Sequence, residues 1–155
     1  RELSELANLA EVLERLVPDI NVKTMKAEVL SKLLLGMDDV SMRLILLKEV
    51  FPYCNVSKLV SRNLFLLLDP DMSKVMQGCE EVRGILAAES FDEGEAKRLF
   101  DQSPEMIVPS LFKEAVSEVK RLFPGKQAKS VLLSNPDIAL SVQNLEHQER
   151  GNYEL

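Results

Sequence analysis

Leu122–Leu140, LFPGKQAKSVLLSNPDIAL, is the stretch whose reading decides the fold. Leu122-Phe123 reads as a helix end, Pro124-Gly125 as a turn, and Lys126 to Leu133 as a short helix. Asn135-Pro136-Asp137 then restarts the chain. Asn accepts a helix-start N–H, Pro stands where no donor is needed, and Asp faces the positive helix end. Weaker copies lie upstream: Asp69-Pro70-Asp71-Met72 and Ser103-Pro104-Glu105-Met106 match Asn135-Pro136-Asp137-Ile138, at spacings of 34 and 32 residues.

A second anchor is the apolar or aromatic residue plus Pro that closes the preceding helix: Val17-Pro18, Phe51-Pro52 and Phe123-Pro124. Asn21-Val22 and Asn55-Val56 share a spacing of 34 residues, and Phe91 holds the same place in the third copy without its Pro. The second copy is longer, because its short helix runs on through Leu64–Leu68 and sets its anchors about six residues further apart. Four imperfect units of about 34 residues result, the period of stacked helical arrays whose units contact mainly their neighbours. The alternative is a non-repetitive bundle of Pro-terminated helices.

The rest of the chain agrees with an all-α fold of about nine helices over residues 1–147, with a frayed tail at 148–155. Leu3, Leu6, Ala10, Leu13 and Leu16 form an apolar stripe over 2–17, ended by Pro18. A second helix is expected from Val22 to Leu35, stopping at Gly36, and Asp38 or Asp39 caps a third carrying Leu44, Ile45, Leu47 and Phe51. Asn55 caps a short helix through Asn63, and Asp69-Pro70-Asp71 opens a longer one with Met72, Val75, Cys79, Val82 and Leu86 on one face. Glu89–Gly94 reads as an acidic loop before a short helix over Glu95–Phe100. Pro109 interrupts the element begun at Ser103, Ser110 caps Leu111–Phe123, and a last helix carries Ile138, Val142 and Leu145. No segment alternates with the period of a strand.

Composition narrows the functions. Apolar residues make up 46% of the chain, and the net charge is −6, from 19 basic and 25 acidic side chains. That balance opposes wholesale wrapping by nucleic acid. Cys54 and Cys79 sit in apolar helical patterns and read as buried hydrophobes, which fits a reducing intracellular compartment. The longest apolar run, Leu64–Leu68, is too short to span a bilayer. A start at Arg1 rather than Met is expected of a processed or trimmed chain.

No enzyme, metal site or cofactor site is expected. The single histidine, His147, lies in a polar tail between Glu146 and Glu149 with no nucleophile near it in sequence. The glycines never form a phosphate-cradling loop, and the acidic pairs lack calcium-loop spacing. Neither cysteine has a ligand neighbour at zinc spacing.

Two segments, FPYCNVSKLVSRN (Phe51–Asn63) and LFPGKQAKSVLLSNPDIAL, resemble the degenerate repeats of the mitochondrial transcription termination factor family of mitochondria and plastids. The likeness covers most of residues 17–145. It implies units of two α-helices and a short connecting helix, an organellar location and a role in organellar gene expression through nucleic-acid contact.

Aligned short helices place Lys23, Ser57, Lys97 and Lys129 in one column and Thr24, Lys58, Arg98 and Ser130 in the next. Stacking would line these into a basic stripe able to track a phosphate backbone. The candidate contacts are Lys23, Lys58, Arg62, Lys97, Arg98, Lys126 and Lys129. Residues 21–62 carry 7 basic against 4 acidic side chains and 110–134 carry 5 against 2, whereas 63–95 carries 2 against 8 and would break the stripe. The competing expectation is a protein–protein adaptor that uses a repeat groove, its methionines and the acidic middle to hold a partner.

Overall fold

The structure is a computed structural model, described here for residues 3–138. Among these residues the chain is helical, with no strand, and it divides into two compact units, Arg1–Val75 and Met76–Leu155.

The first unit begins with α1 (Leu3–Leu16), α2 (Ala27–Leu35) and α3 (Met37–Val50). It continues with α4 (Val56–Arg62) and α5 (Phe65–Leu68). Of the expected stripe on α1, only Leu13 is fully buried, while Leu3 and Leu16 are 85% and 42% exposed. The core is instead built from Leu13, Val17, Leu33, Leu47 and Phe51.

α2 starts five residues later than the apolar spacing predicts, at Ala27 rather than Val22. Asn21 explains the delay. Its side chain accepts the Lys23 N–H at 3.2 Å and its carbonyl accepts the Thr24 hydroxyl at 3.3 Å, a local turn that competes with the helix. Gly36 serves both neighbouring helices. Its N–H reaches Leu33 O and its carbonyl accepts the Val40 N–H. Asp38 and Asp39 therefore sit inside the first turn of α3, where negative charge is favoured, and do not cap it. Asn55 does cap α4, accepting the Lys58 N–H at 3.1 Å.

α6 (Met72–Ala88) is capped by Asp71 and not by Asp69, the expected cap: the Asp71 carboxylate accepts the Lys74 N–H at 3.1 Å, while Asp69 Oδ1 accepts the Asp71 N–H at 2.9 Å. It buries Val75, Cys79, Val82 and Leu86. Its end is a Schellman turn: Phe91 N–H bonds Leu86 O, Ser90 N–H bonds Ala87 O, and Ser90 takes the left-handed conformation at φ 60°. This compact exit lets α7 (Glu93–Gln102) start inside the stretch read as a loop. Phe91 keeps the place of Phe51 and Phe123, 12 residues before the cap of its short helix, but it follows a Schellman turn instead of ending the helix itself, and its ring lies edge-on to Phe112 at 5.9 Å.

After α7 comes a 3-10 turn (Pro104–Ile107), then α8 (Pro109–Leu122) and α9 (Ala128–Ser134). Pro109 does not interrupt a helix. It is the first residue of α8, where its missing N–H costs nothing, so Ser110 is not the cap. α8 buries Phe112, Ala115, Val116 and Val119, the spacing of one helix face.

One local structure recurs three times. Asn63, Ser103 and Asn135 end α4, α7 and α9 with φ/ψ of −137/70°, −139/74° and −135/73°. In each case the cap carbonyl accepts the N–H three residues on, from Leu66, Met106 and Ile138, at 3.0 Å. Phe51 and Phe123 likewise share φ/ψ of −125/65° and −128/64°, and their carbonyls accept Cys54 and Lys126 N–H at 3.1 Å.

The counterpart of Ser103 and Asn135 is therefore Asn63, not Asp69. The interval from Pro52 to Asn63 equals that from Pro124 to Asn135, and the six residues by which the second copy looked longer, 64–69, are mostly α5. The short helix does not run on through Leu68. It stops at Asn63, whose side-chain amide donates to Leu59 O at 2.9 Å, and α5 follows separately. Val142, Leu145 and the 148–155 tail lie outside the described residues.

Candidate nucleic-acid interface

Counted back from their shared cap, α4, α7 and α9 have the same plan. The positions Val56/Ala96/Ala128, Leu59/Leu99/Val131 and Val60/Phe100/Leu132 are all buried. Between the first two of these layers stand Ser57/Lys97/Lys129 and Lys58/Arg98/Ser130, the two expected columns. α7 is longer only at its N-terminal end. Lys23 does not join the column, because it lies in the Asn21 turn outside any helix.

In the first unit, Lys23 and Arg62 are exposed and Lys58 is half-buried. The turn holding Lys23 is fastened to α4, since the Asp19 backbone N–H donates to Ser57 Oγ at 3.0 Å.

The second unit treats its cations differently. Lys97 Nζ lies 2.7 Å from Asp101 Oδ2, one turn along the same helix. Lys129 is not the exposed residue its place in the sequence suggests. Its side chain is 18% exposed, 3.0 Å from Glu95 Oε1 and 2.7 Å from the Ser90 carbonyl. Arg98 and Lys126 are exposed, and Lys126 Nζ stands 6.0 Å from the Phe123 ring centroid. Lys120 pairs with Glu89 at 3.0 Å, and Arg121 with Glu118.

The carboxylates of this unit are correspondingly perturbed. Glu95 is held below the ordinary carboxylate range, first by the Asp92 backbone N–H and then by Lys129. Glu118 is lowered by its hydrogen bonds from Arg121.

Sequence reasoning missed Arg43. Its side chain is 5% exposed, with Nε 2.9 Å from Asp39 Oδ2 and Nη1 3.2 Å from Leu66 O, and Nη2 donates to Asp69 O. The guanidinium thus satisfies two carbonyls at the end of α5, the favourable position for a cation. A signal was present: Arg43 falls in the apolar register with Val40 and Leu47, where an arginine has to find buried acceptors. Lys48 similarly donates to Cys54 O at 3.2 Å. Neither belongs among the cations open to a ligand.

Cys54 and Cys79 are free, buried thiols, and burial followed by the neighbouring Glu80 charge pushes Cys79 up to about 11. Among the described residues no cluster of His, Cys, Asp and Glu could hold a metal ion, and no helix is long and apolar enough to cross a membrane. His147 lies outside the described residues. No family model, characterised protein or solved structure matches the chain.

Proposed function

We propose that the chain is a non-enzymatic binding module of four stacked helical-repeat units that contacts nucleic acid and supports organellar gene expression, in a mitochondrion or a plastid. The observation that carries this reading is the recurrence of one short helix, with one buried plan and one cap geometry, at α4, α7 and α9. A repeated unit built around one short helix is what the resemblance to mitochondrial transcription termination factors implies. Repetition also sets polar positions of equivalent register along the chain. Phosphates are met by cations drawn from Lys23, Lys58, Arg62, Lys97, Arg98, Lys126 and Lys129.

Binding of random-sequence DNA and RNA by the full chain at low salt tests the reading, because phosphate contacts are strongest there. Retained binding that weakens steeply with salt supports it, and absence of binding sinks it. A protein–protein adaptor is the second reading. It is favoured by the pairing of Lys97 with Asp101 and of Lys129 with Glu95, which removes positive charge from the second unit. Under that reading the acidic middle segment meets a basic protein partner and nucleic acid is not bound.

A further inference from the structure

We infer that the outer face of α3 is a docking surface for a basic amphipathic helix of a partner protein, centred on Met42 and Ile45 and bracketed by Asp38 and Glu49. Such docking is independent of nucleic-acid contact. It keeps the basic partner of the adaptor reading but seats it on α3 and not on the acidic middle segment.

α3 is apolar on two sides. Val40, Arg43 and Leu47 are buried against the first unit. On the opposite side Asp38, Met42, Ile45 and Glu49 follow at intervals of four, three and four residues, which sets them in one row along the helix. Met42 is 49% and Ile45 61% exposed, and Leu35, which ends α2 two residues before α3 begins, is 61% exposed. Isoleucine is a poorer helix former than the charged residues usual on a solvent face, and here it keeps its hydrocarbon in water beside a second large apolar side chain. The outer side of α8 shows the ordinary arrangement, with Lys113, Glu114, Ser117, Lys120 and Arg121 all exposed. Among the described residues, seven of the eight exposed large apolar side chains lie in the first unit, so the excess belongs to that unit and not to the chain as a whole.

Charge decides the occupant. Asp38 and Glu49 stand about 16 Å apart along the helix, one at each end of the apolar pair. Among the described residues neither forms an ion pair or a side-chain hydrogen bond. The cations of α3 are engaged on other sides, Arg43 with Asp39 and the carbonyls of Leu66 and Asp69, and Lys48 with Cys54 O at 3.2 Å.

A second copy of the chain fits this row badly. Crossing antiparallel between Met42 and Ile45, it brings Asp38 against Glu49 at both ends; parallel, it brings each acid against itself. The chain's own residues after 138 carry Glu146, Glu149 and Glu154 against Arg150, again the wrong sign. The complementary occupant is a partner helix with apolar residues at i+4 and i+7 between cations at i and i+11.

The test is titration of the isotopically labelled full chain, followed by NMR and calorimetry, with two helical peptides of about 20 residues on an alanine–glutamine background. One carries Lys, Leu, Ile and Lys at i, i+4, i+7 and i+11, and the other has Glu in place of both Lys. The Lys peptide binds in the micromolar range with shift changes centred on α3, and the Glu peptide binds about tenfold more weakly or worse. Ile45→Ser weakens the Lys peptide about tenfold or more. Because Ile45 is exposed, that substitution leaves the melting temperature near the parent value. Asp38→Asn with Glu49→Lys reverses the order of the two peptides.

Equal binding of both peptides, no binding of either, or no effect of Ile45→Ser overturns the proposal. So does a dimer in sedimentation velocity that Ile45→Ser dissolves, which gives the face to a second copy. Shift changes beyond residue 138 on that substitution overturn it too, by giving the face to the chain's own C-terminal residues. The DNA and RNA titration reads nucleic-acid contact separately, so the two failures are distinguishable.

Discussion

Oε1 of Glu95 accepts two hydrogen bonds from different elements, the Asp92 backbone N–H and Lys129 Nζ, each at 3.0 Å. One carboxylate oxygen therefore completes the capping box of α7 and ties down the start of α9. The Asp92-x-x-Glu95 box lies across the stretch read as a loop, and the second role needs Lys129, which stands 34 residues further on. Because the folded carboxyl titrates below its ordinary value of 4.5, it stabilises the fold above that pH. The contribution fades as pH falls through the lowered value. Melting temperature measured from about pH 6 down to about pH 3 should fall less steeply for Glu95→Gln than for the parent protein. Parallel curves would show that the carboxylate contributes nothing through these bonds.

Arg43 should be the costliest single cation to remove. Arg43→Met fills similar volume yet leaves Leu66 O and Asp69 O without their donor, a loss of roughly 2–4 kcal/mol. Arg43→Lys falls between the two, because an ammonium lacks the planar fork that reaches both carbonyls and Asp39. Urea denaturation followed by circular dichroism ranks the three. Equal stability of Arg43→Met and the parent protein would contradict the assignment.

Asn63 offers a sharper contrast. It is buried, and its side-chain amide donates to Leu59 O. Asn63→Ala should cost about 1–2 kcal/mol. Asn63→Asp should cost more, since it replaces the donor with a second acceptor facing that carbonyl in a dry site. Equilibrium unfolding of the pair at neutral pH decides the order.

Two glycines should respond with opposite signs. Gly84 lies in the interior of α6 with open space where a Cβ would go, so Gly84→Ala should stabilise by about 0.5–1 kcal/mol. Gly125 also has open space, but its φ of +87° excludes side chains on backbone grounds. Gly125→Ala should destabilise by about 1 kcal/mol or more. Melting temperatures moving in the same direction for both would refute the backbone argument at Gly125.

Much of the secondary structure was legible in the sequence because its causes are local. Asn55 caps α4, Gly36 ends α2, and Gly125 turns the chain, each within a few residues of the bond it makes. The same local chemistry also misled. Asn21 has the residue type and the spacing of Asn55, but it folds its own neighbours into a turn, so α2 starts late and Lys23 leaves the column. Asp69-Pro70-Asp71 imitates the later restarts in composition, whereas Asn63 carries their geometry.

The sequence by itself determined the helical class, the Asn55 cap, the Gly36 stop and the apolar positions of the short helices, because capping and 3.6-residue periodicity act over distances shorter than one helix. Only the tertiary structure decided which charges remain available. Whether Lys129 meets solvent or Glu95, and whether Arg43 meets solvent or two carbonyls of α5, depends on partners 23 to 34 residues away. The approach of such partners is set by packing, and no local pattern encodes it.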